Sequence, residues 1–276
     1  MKYILNELGA LKKALEGKRV YLFLDYDGTL APIAEKPAKA SLSRKTVSVL
    51  EALAKNRDFQ VAVISGRALK DIKERLGLRN IFYSGNHGLE IQGPGLRFRV
   101  PVTLRYKKIL EQIKNDLRLN LSRIPGVLLE DKGLSLSLHF RRVSVANTPA
   151  VKTAFHETVK LYIARHQVKV REGKRVLEVL PPLEWDKGKA VLWLLGKARR
   201  QLLKKQNGIV PVYIGDDLTD EDAFKALGSR GVTVFAGGVR RSRARYYVKG
   251  PVEVTRLLGR LAVLQRGRDH GSITKG

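Results

Sequence analysis

The sequence contains no cysteine, which excludes disulfides and cysteine-ligated zinc sites. It also has no uncharged stretch near the roughly 18 apolar residues that a membrane span needs. The N-terminus, which runs from Met1 to Ile4 and soon meets Glu7, does not have the apolar core of a signal peptide. We therefore expect a cytoplasmic protein without a membrane partner.

Acidic residues are scarce, with 26 Asp and Glu against 53 Lys and Arg, and the formal net charge is +27. A basic surface can attract nucleic acid, an anionic membrane or a small anionic substrate. The densest basic segment, residues 240–245 (RRSRAR), has no interleaved aromatic residues and no nucleic-acid-binding motif around it. We therefore expect no specific nucleic-acid partner.

One apolar run followed by acidic residues organises the rest of the chain. Val20–Leu24 carries no charge, which is typical of a strand buried on both faces of a parallel sheet. Asp25 and Asp27 follow it, and two carboxylates so close together repel each other unless a cation lies between them. Mg²⁺ takes one or two carboxylates plus phosphate oxygens. The alternative is an ordinary turn, in which Asp and Gly28 are common.

The rest of the 276 residues can be divided into two domains. Strand and helix patterns alternate in residues 1–102 and 183–276, which predicts an α/β fold with a doubly wound parallel sheet. Residues 103–182 instead read as α-β-β-α-β-β, which predicts a smaller α/β domain inserted into that core. Near the end, Thr219 precedes Asp220, Glu221 and Asp222, an arrangement that predicts a capping box.

Polar groups follow four of the predicted core strands. Asp25 with Asp27, then Ser65, then Asn86 with His87, and finally Asp216 with Asp217 come directly after apolar runs. Parallel strands end at one edge of a sheet, so these groups can meet there. Lys187 starts a helix, where an anion is favoured. Carboxylates for a metal, with a hydroxyl and an ammonium for phosphate, indicate phosphoryl transfer.

Six motifs carry a resemblance to a known family: LDYDGTL (24–30), SGR (65–67), GNHGLE (85–90), EDKGLSLSLHFR (130–141), LEVLPPLEWDKGKAV (177–191) and GDDLTDEDAF (215–224). The chain resembles the haloacid dehalogenase (HAD) superfamily and, within it, the trehalose-6-phosphate phosphatase family over nearly its whole length. Family members often have Tyr at the position of Phe140. No glycosyltransferase domain precedes the motifs, so we expect the stand-alone form, with a separate trehalose-6-phosphate synthase as a partner.

The resemblance implies a HAD-like core with a C2-type cap and an Mg²⁺-dependent phosphatase. It would hydrolyse trehalose 6-phosphate, the last step of trehalose biosynthesis, through an aspartyl phosphate. By the same resemblance Asp25 is the nucleophile and Asp27 the acid and base. Ser65 and Lys187 hold the phosphoryl oxygens. The implied metal ligands are Asp25, the carbonyl of Asp27, and Asp216, with Asp217 and Asp220 as further candidates.

The resemblance also implies sugar-binding residues. Glu130, Lys132, His139 and Glu178 would bind sugar hydroxyls from the cap, and Arg67, Asn86 and His87 would line the site from the core. The residues alone leave alternatives open: His139 as a residue that faces solvent or a neighbouring strand, Lys132 as a turn lysine, and Glu178 as a surface strand residue.

The sequence leaves two other functions open. One is hydrolysis of another sugar phosphate, such as sucrose 6-phosphate or mannosyl-3-phosphoglycerate. The other is a non-catalytic, basic interaction module.

Overall fold

The computed structural model describes residues 1–33, 41–202 and 208–266. The chain forms two compact units. The first contains Met1–Phe98 and the described residues from Trp185 onward, and the second contains Arg99–Glu184. These bounds fall within a few residues of the predicted insertion at 103–182.

The first unit begins with alternating strands and helices. Helix boundaries follow local signals: Ser43 caps the second helix by accepting a hydrogen bond from the Thr46 N–H at 3.0 Å. Gly77 ends the third helix in the left-handed region, as its position after Leu76 predicts. The elements are β1 (Lys2–Tyr3), α1 (Leu8–Leu15), β2 (Arg19–Leu24), α2 (Arg44–Lys55), β3 (Phe59–Ile64), α3 (Leu69–Leu76), β4 (Phe82–Gly85), β5 (Glu90–Gly93) and β6 (Leu96–Arg99).

The second unit has its own sheet and its own core. Its elements are α4 (Leu104–Leu121), β7 (Leu128–Asp131), β8 (Leu136–His139), α5 (Thr148–Ala164), β9 (Lys169–Gly173) and β10 (Val176–Leu180). The four strands pair antiparallel in the order β7-β8-β10-β9. Leu136, Leu138 and Leu177 pack with apolar side chains of both helices. The predicted α-β-β-α-β-β order is confirmed.

The chain then completes the large sheet of the first unit. The remaining elements are α6 (Lys187–Leu202), β11 (Ile209–Gly215), α7 (Asp220–Leu227), β12 (Val232–Ala236), β13 (Tyr246–Val248) and α8 (Pro251–Arg266). The nine-stranded order is β1-β13-β12-β11-β2-β3-β4-β5-β6. β2 pairs in parallel with β3 on one side and β11 on the other, so the chain changes direction across the sheet between β2 and β11. Ligand sites of doubly wound sheets lie at such switch points.

Helices cover both faces of this sheet. Successive side chains of β2 point to opposite faces, so this strand contributes to a core on each side. Leu22 and Leu24 pack with residues of α1, α2, α3 and α8. Tyr21 and Phe23 pack with residues of α6 and α7. None of the helices in the described part of the chain combines the length and apolarity that crossing a bilayer requires.

Three short strands are not indicated by any sequence pattern. Lys2 and Tyr3 pair in parallel with β13, and the first α-helix begins at Leu8. β5 pairs antiparallel with β4, and β6 follows it at the sheet edge. Segments of two to four residues are too short for a periodic pattern, and their pairing partners are distant or edge strands.

Candidate active site

The switch point brings two predicted carboxylates together. Leu24 of β2 lies in register with Ile214 of β11, so Asp25 and Asp216 leave neighbouring strands at the same edge. Both residues are buried, with 4% and 5% of their surfaces exposed. Together with Asp220 they offer carboxylate oxygens that all lie within 4.8 Å of one another.

Lys187, the first residue of α6, lies inside this acidic group. Its ammonium donates hydrogen bonds to Asp25 Oδ1 at 2.7 Å and to Asp220 Oδ1 at 2.8 Å. Burial alone would lower the pKa of Lys187, but the charges of Asp220 and Asp25 outweigh burial and raise it well above its usual range. The site therefore holds one fixed positive charge beside the predicted nucleophile.

Both carboxylate oxygens of Asp220 accept hydrogen bonds from other groups of the protein. Besides Lys187, the hydroxyl of Tyr213 donates to Oδ1 at 2.7 Å. The backbone N–H groups of Asp216 and Asp217 donate to Oδ2 at 2.9 and 3.0 Å. A carboxylate offers about four acceptor positions, so these four donors saturate it. Sequence reasoning missed Tyr213, which stands in an apolar strand without any motif around it.

Asp217 is hydrogen-bonded to Thr219. Its Oδ1 accepts from the backbone N–H of Thr219 at 2.8 Å and from the Thr219 hydroxyl at 2.6 Å. Burial would raise the pKa of Asp217, but Lys187 and these hydrogen bonds lower it to about 2. The capping-box prediction was wrong: Thr219 is the N-cap of α7, but its backbone is already helical (φ −73°, ψ −20°) and its side chain accepts no hydrogen bond from a helical N–H.

Asp27 and Arg67 form a bidentate ion pair. Arg67 donates from Nε to Asp27 Oδ2 at 2.7 Å and from Nη2 to Asp27 Oδ1 at 2.6 Å. Its Nη1 donates to Asp71 at 2.8 Å, and Asp71 also accepts from Arg75. This geometry fixes the plane of the Asp27 carboxylate. Sequence reasoning missed Asp71, although its position four residues after Arg67 was a usable helical-spacing signal.

Ser65, Asn86 and His87 lie together because two loops are hydrogen-bonded to each other. The N–H of His87 donates to the Ser65 carbonyl at 3.0 Å, and the N–H of Asn86 donates to the Arg67 carbonyl at 2.7 Å. The Ser65 hydroxyl accepts from the N–H of Arg67 at 3.1 Å. Asn86 also donates from its side chain to Glu90 at 2.8 Å. The strand-end serine and the Asn-His loop thus form one connected group.

Gly28 allows the turn after Asp27 to pass close to the side chain of Asp216. Its φ is +87°, and a Cβ at this position would lie 2.2 Å from Asp216 Oδ2. Thr29 donates from its hydroxyl to Asp216 Oδ1 at 3.3 Å. Only glycine lets the first acidic loop approach the second so closely.

The second unit brings its four predicted sugar-binding residues together at its sheet, where three of them lie in strands and Lys132 directly follows β7. His139 Nε2 lies 2.9 Å from Glu130 Oε2, and Lys132 donates to Glu178 at 3.1 Å. Ser137, which sequence reasoning did not single out, donates to Glu178 Oε1 at 2.7 Å. Glu130, Ser137 and Glu178 are direct neighbours in the strand register, so they share one face of the sheet.

The acidic group of the first unit fits a divalent cation. Burial raises the pKa of Asp25 well above its usual range; Lys187 opposes this shift, and the carboxylates of Asp220 and Asp216 reinforce it. One ammonium cannot offset three buried carboxylates, and uncompensated buried charge is strongly destabilising. Oxygen ligands of this kind suit hard cations. Asp25 and Asp216 could therefore hold a divalent metal, whereas Asp220, the third carboxylate of the group, already accepts four hydrogen bonds.

Known proteins resemble this chain over most of its length. The family model described as Trehalose-phosphatase matches residues 23–251. The chain is 34% identical over 275 residues to trehalose-phosphate phosphatase B of Arabidopsis thaliana, which covers 95% of this chain and 71% of that protein. It is 35% identical over 249 residues to a trehalose-phosphate phosphatase of Mycobacterium ulcerans, which covers 88% of this chain. The chain spans 62% of that mycobacterial relative's length.

Solved structures show the same architecture. The C-terminal domain of trehalose-6-phosphate phosphatase from C. albicans aligns with a TM-score of 0.80 and 26% identity, over 93% of this chain and 97% of that one. A haloacid dehalogenase-like hydrolase from Bacteroides thetaiotaomicron shares the fold, with a TM-score of 0.64 and 15% identity over 88% of this chain and 100% of that one. The predicted HAD-like α/β fold class is confirmed. The chain belongs to the trehalose-phosphatase family.

Proposed function

We propose that this protein hydrolyses trehalose 6-phosphate to trehalose and phosphate. The observation that carries the proposal is the buried Asp25 at the switch point, held by the ammonium of Lys187. Relatives that cover most of this chain are named trehalose-phosphate phosphatases. A nucleophile paired with a fixed cation is what phosphoryl transfer needs, because the attacked group is itself an anion.

In the proposed mechanism, an oxygen of the Asp25 carboxylate attacks the phosphorus. A bond forms between that oxygen and phosphorus while the bond from phosphorus to the sugar oxygen breaks, and Asp27 gives the departing oxygen a proton. A water molecule then attacks the aspartyl phosphate, and Asp27 takes a proton from it. Phosphate leaves and the Asp25 carboxylate is restored.

Other residues of the first unit would position these groups. Arg67 holds the Asp27 carboxylate through two hydrogen bonds, which supports its orientation toward the reacting oxygen. Lys187 and Ser65 would bind oxygens of the transferring phosphoryl group. Asn86 and His87, which are bonded to the Ser65 loop, would complete the substrate side of the site.

We propose Mg²⁺ as the cation, held by Asp25, Asp216 and the backbone carbonyl of Asp27. Asp220 is bound by four donors, which supports a role in placing Lys187 and not in binding the cation directly. Asp217 is committed to Thr219 and would stay outside the ligand set. When bound, the cation supplies charge neutralisation between the nucleophile and the phosphate dianion.

The second unit would recognise the sugar. Glu130 and Glu178 offer acceptors, Lys132 offers donors, and His139 beside Glu130 can orient that carboxylate. Donors and acceptors of this kind reject a substrate that lacks a matching hydroxyl, because a buried polar group would stay unpaired. The substrate would come from a separate trehalose-6-phosphate synthase.

The direct test is phosphate release from a panel of sugar phosphates at equal concentration, with and without a metal chelator. We expect strong preference for trehalose 6-phosphate over sucrose 6-phosphate and mannosyl-3-phosphoglycerate. Chelator should abolish release, and excess Mg²⁺ should restore it. Metal-dependent release from another sugar phosphate would contradict the substrate assignment and keep the chemistry. No release from any sugar would contradict both.

A substitution in the second unit should separate sugar recognition from chemistry. We expect Glu130→Gln to lower kcat/KM for trehalose 6-phosphate by about 10- to 100-fold, the loss of one charged hydrogen bond of about 1.5–3 kcal/mol. Hydrolysis of p-nitrophenyl phosphate, which has no sugar, should be unchanged. Glu157→Gln, on the exposed side of α5, is the matched control. Equal loss on both substrates would contradict a sugar-binding role for Glu130.

A further inference from the structure

A cleft opens at the edge of the large sheet where the strands begin, and Asp25 lies at the other edge, where they end. It has a volume of about 560 Å³ and is lined at the amino ends of β2, β3, β4 and β11. All of its lining residues belong to the first unit. Part of the wall is apolar, formed by Phe59, Phe82 and Leu194. Cavities of this size bind small molecules in other proteins.

The lining of this cleft carries positive charge only. Arg19, Lys55, Arg57 and Lys197 contribute to it, and no acidic residue does among the described residues. All four basic residues are exposed, so they keep their charge in water. The Lys197 ammonium lies 5.3 Å from the ring centre of Trp193, which places that cation beside an aromatic surface.

A buried hydroxyl without a partner adds an independent sign of a ligand. Tyr21 lines the cleft with 1% of its surface exposed. Its hydroxyl has no hydrogen-bond partner in the described part of the chain. The ring is fixed by stacking on Phe23, with 4.2 Å between ring centres. Buried hydroxyls are nearly always hydrogen-bonded in folded proteins, so this one calls for an acceptor.

We propose that this cleft binds a small amphiphilic anion. The apolar body of the ligand lies against Phe82 and Leu194, and a hydroxyl or carbonyl oxygen of that body accepts the hydrogen bond from Tyr21. A carboxylate, sulfonate or phosphate of the ligand lies among the four basic side chains. The cleft is separate from the candidate active site, because Tyr21 and Asp25 stand four residues apart on an extended strand, about 13 Å.

The test uses two sulfonates that no phosphatase hydrolyses, 6-hydroxynaphthalene-2-sulfonate and naphthalene-2-sulfonate, in isothermal titration calorimetry with the full chain. We expect one saturable site for each. The double variant Lys55→Gln/Arg57→Gln should weaken both by about tenfold or more, through loss of charge-assisted contacts. Lys107→Gln/Lys108→Gln, on α4, removes the same charge from exposed positions and should change neither affinity.

Tyr21→Phe separates the hydroxyl from the apolar wall while keeping the ring. We expect it to weaken the hydroxylated sulfonate several-fold and to leave the other unchanged. The proposal is overturned if neither sulfonate binds saturably, or if the α4 control weakens binding as much as the cleft variant. Equal effects of Tyr21→Phe on both probes would remove the hydrogen bond from the proposal. Calorimetry needs no turnover, so these outcomes are independent of whether the protein hydrolyses trehalose 6-phosphate.

Discussion

Asp25→Asn is expected to lower the rate of trehalose 6-phosphate hydrolysis by at least about 10³-fold, because an amide cannot form the acyl phosphate. The fold should persist, since Asn has the same shape and still accepts a hydrogen bond from Lys187 through its carbonyl oxygen. Steady-state phosphate release measures the rate, and thermal unfolding followed by circular dichroism measures the fold.

The matched control for this variant is Asp116→Asn, which makes the same chemical change at an exposed position on α4. It should leave both the rate and the unfolding temperature unchanged. Appreciable turnover by Asp25→Asn in a folded protein would show that another group attacks the phosphorus. The same outcome would remove the support that Lys187 gives to the proposed function.

Lys187→Met is expected to affect both stability and rate. Lys187 is 2% exposed and donates hydrogen bonds to Asp25 and Asp220, so its loss leaves these buried carboxylates without their ammonium. Removal of one partner from a buried ion pair typically costs about 3–5 kcal/mol in the free energy of unfolding. The rate should fall by about 10²-fold or more, because a cation for the phosphoryl group is lost.

Urea unfolding of Lys187→Met should be measured both in chelator and with added Mg²⁺, because the cation can offset the charge of the same carboxylates. In chelator, urea unfolding should show the full loss of stability. Added Mg²⁺ should restore part of the stability, because a cation can offset the same carboxylates, while the rate should stay low. Lys189→Met, two residues along the same helix and exposed, should behave like the unchanged protein. Unchanged unfolding of Lys187→Met in chelator would contradict the charge argument.

Part of this site was predictable from the sequence because sheet geometry imposes it. Val20–Leu24 in β2 and Val210–Ile214 in β11 are uncharged runs that predict strands, and parallel strands end at one edge. Asp25 and Asp216 were therefore expected at the same edge, and the pairing of β2 with β11 makes them neighbours. In the second unit, Leu136 and Leu138 alternate with Ser135 and Ser137, a period of two that predicts a strand with one apolar face.

The partners of these residues were not predictable in the same way. Whether Arg67 pairs with Asp27, or Tyr213 with Asp220, depends on loop conformations and rotamers that no spacing rule specifies. Asp217 and Asp220 look alike in the sequence, yet one is bonded to Thr219 and the other to four different donors. The basic cleft could not be predicted from the sequence, because its lining residues come from separate segments that share no motif.

The division of the chain into two units has a consequence for how new substrate preferences can arise. Asp25, Asp27, Lys187 and Asp216 all belong to the first unit, whereas Glu130, Lys132 and Glu178 belong to the second, which has a core of its own. Substitutions within Arg99–Glu184 can therefore alter recognition while every group proposed for bond breaking keeps its neighbours. Exchange of this insert between relatives is a modular route to phosphatases for other sugars.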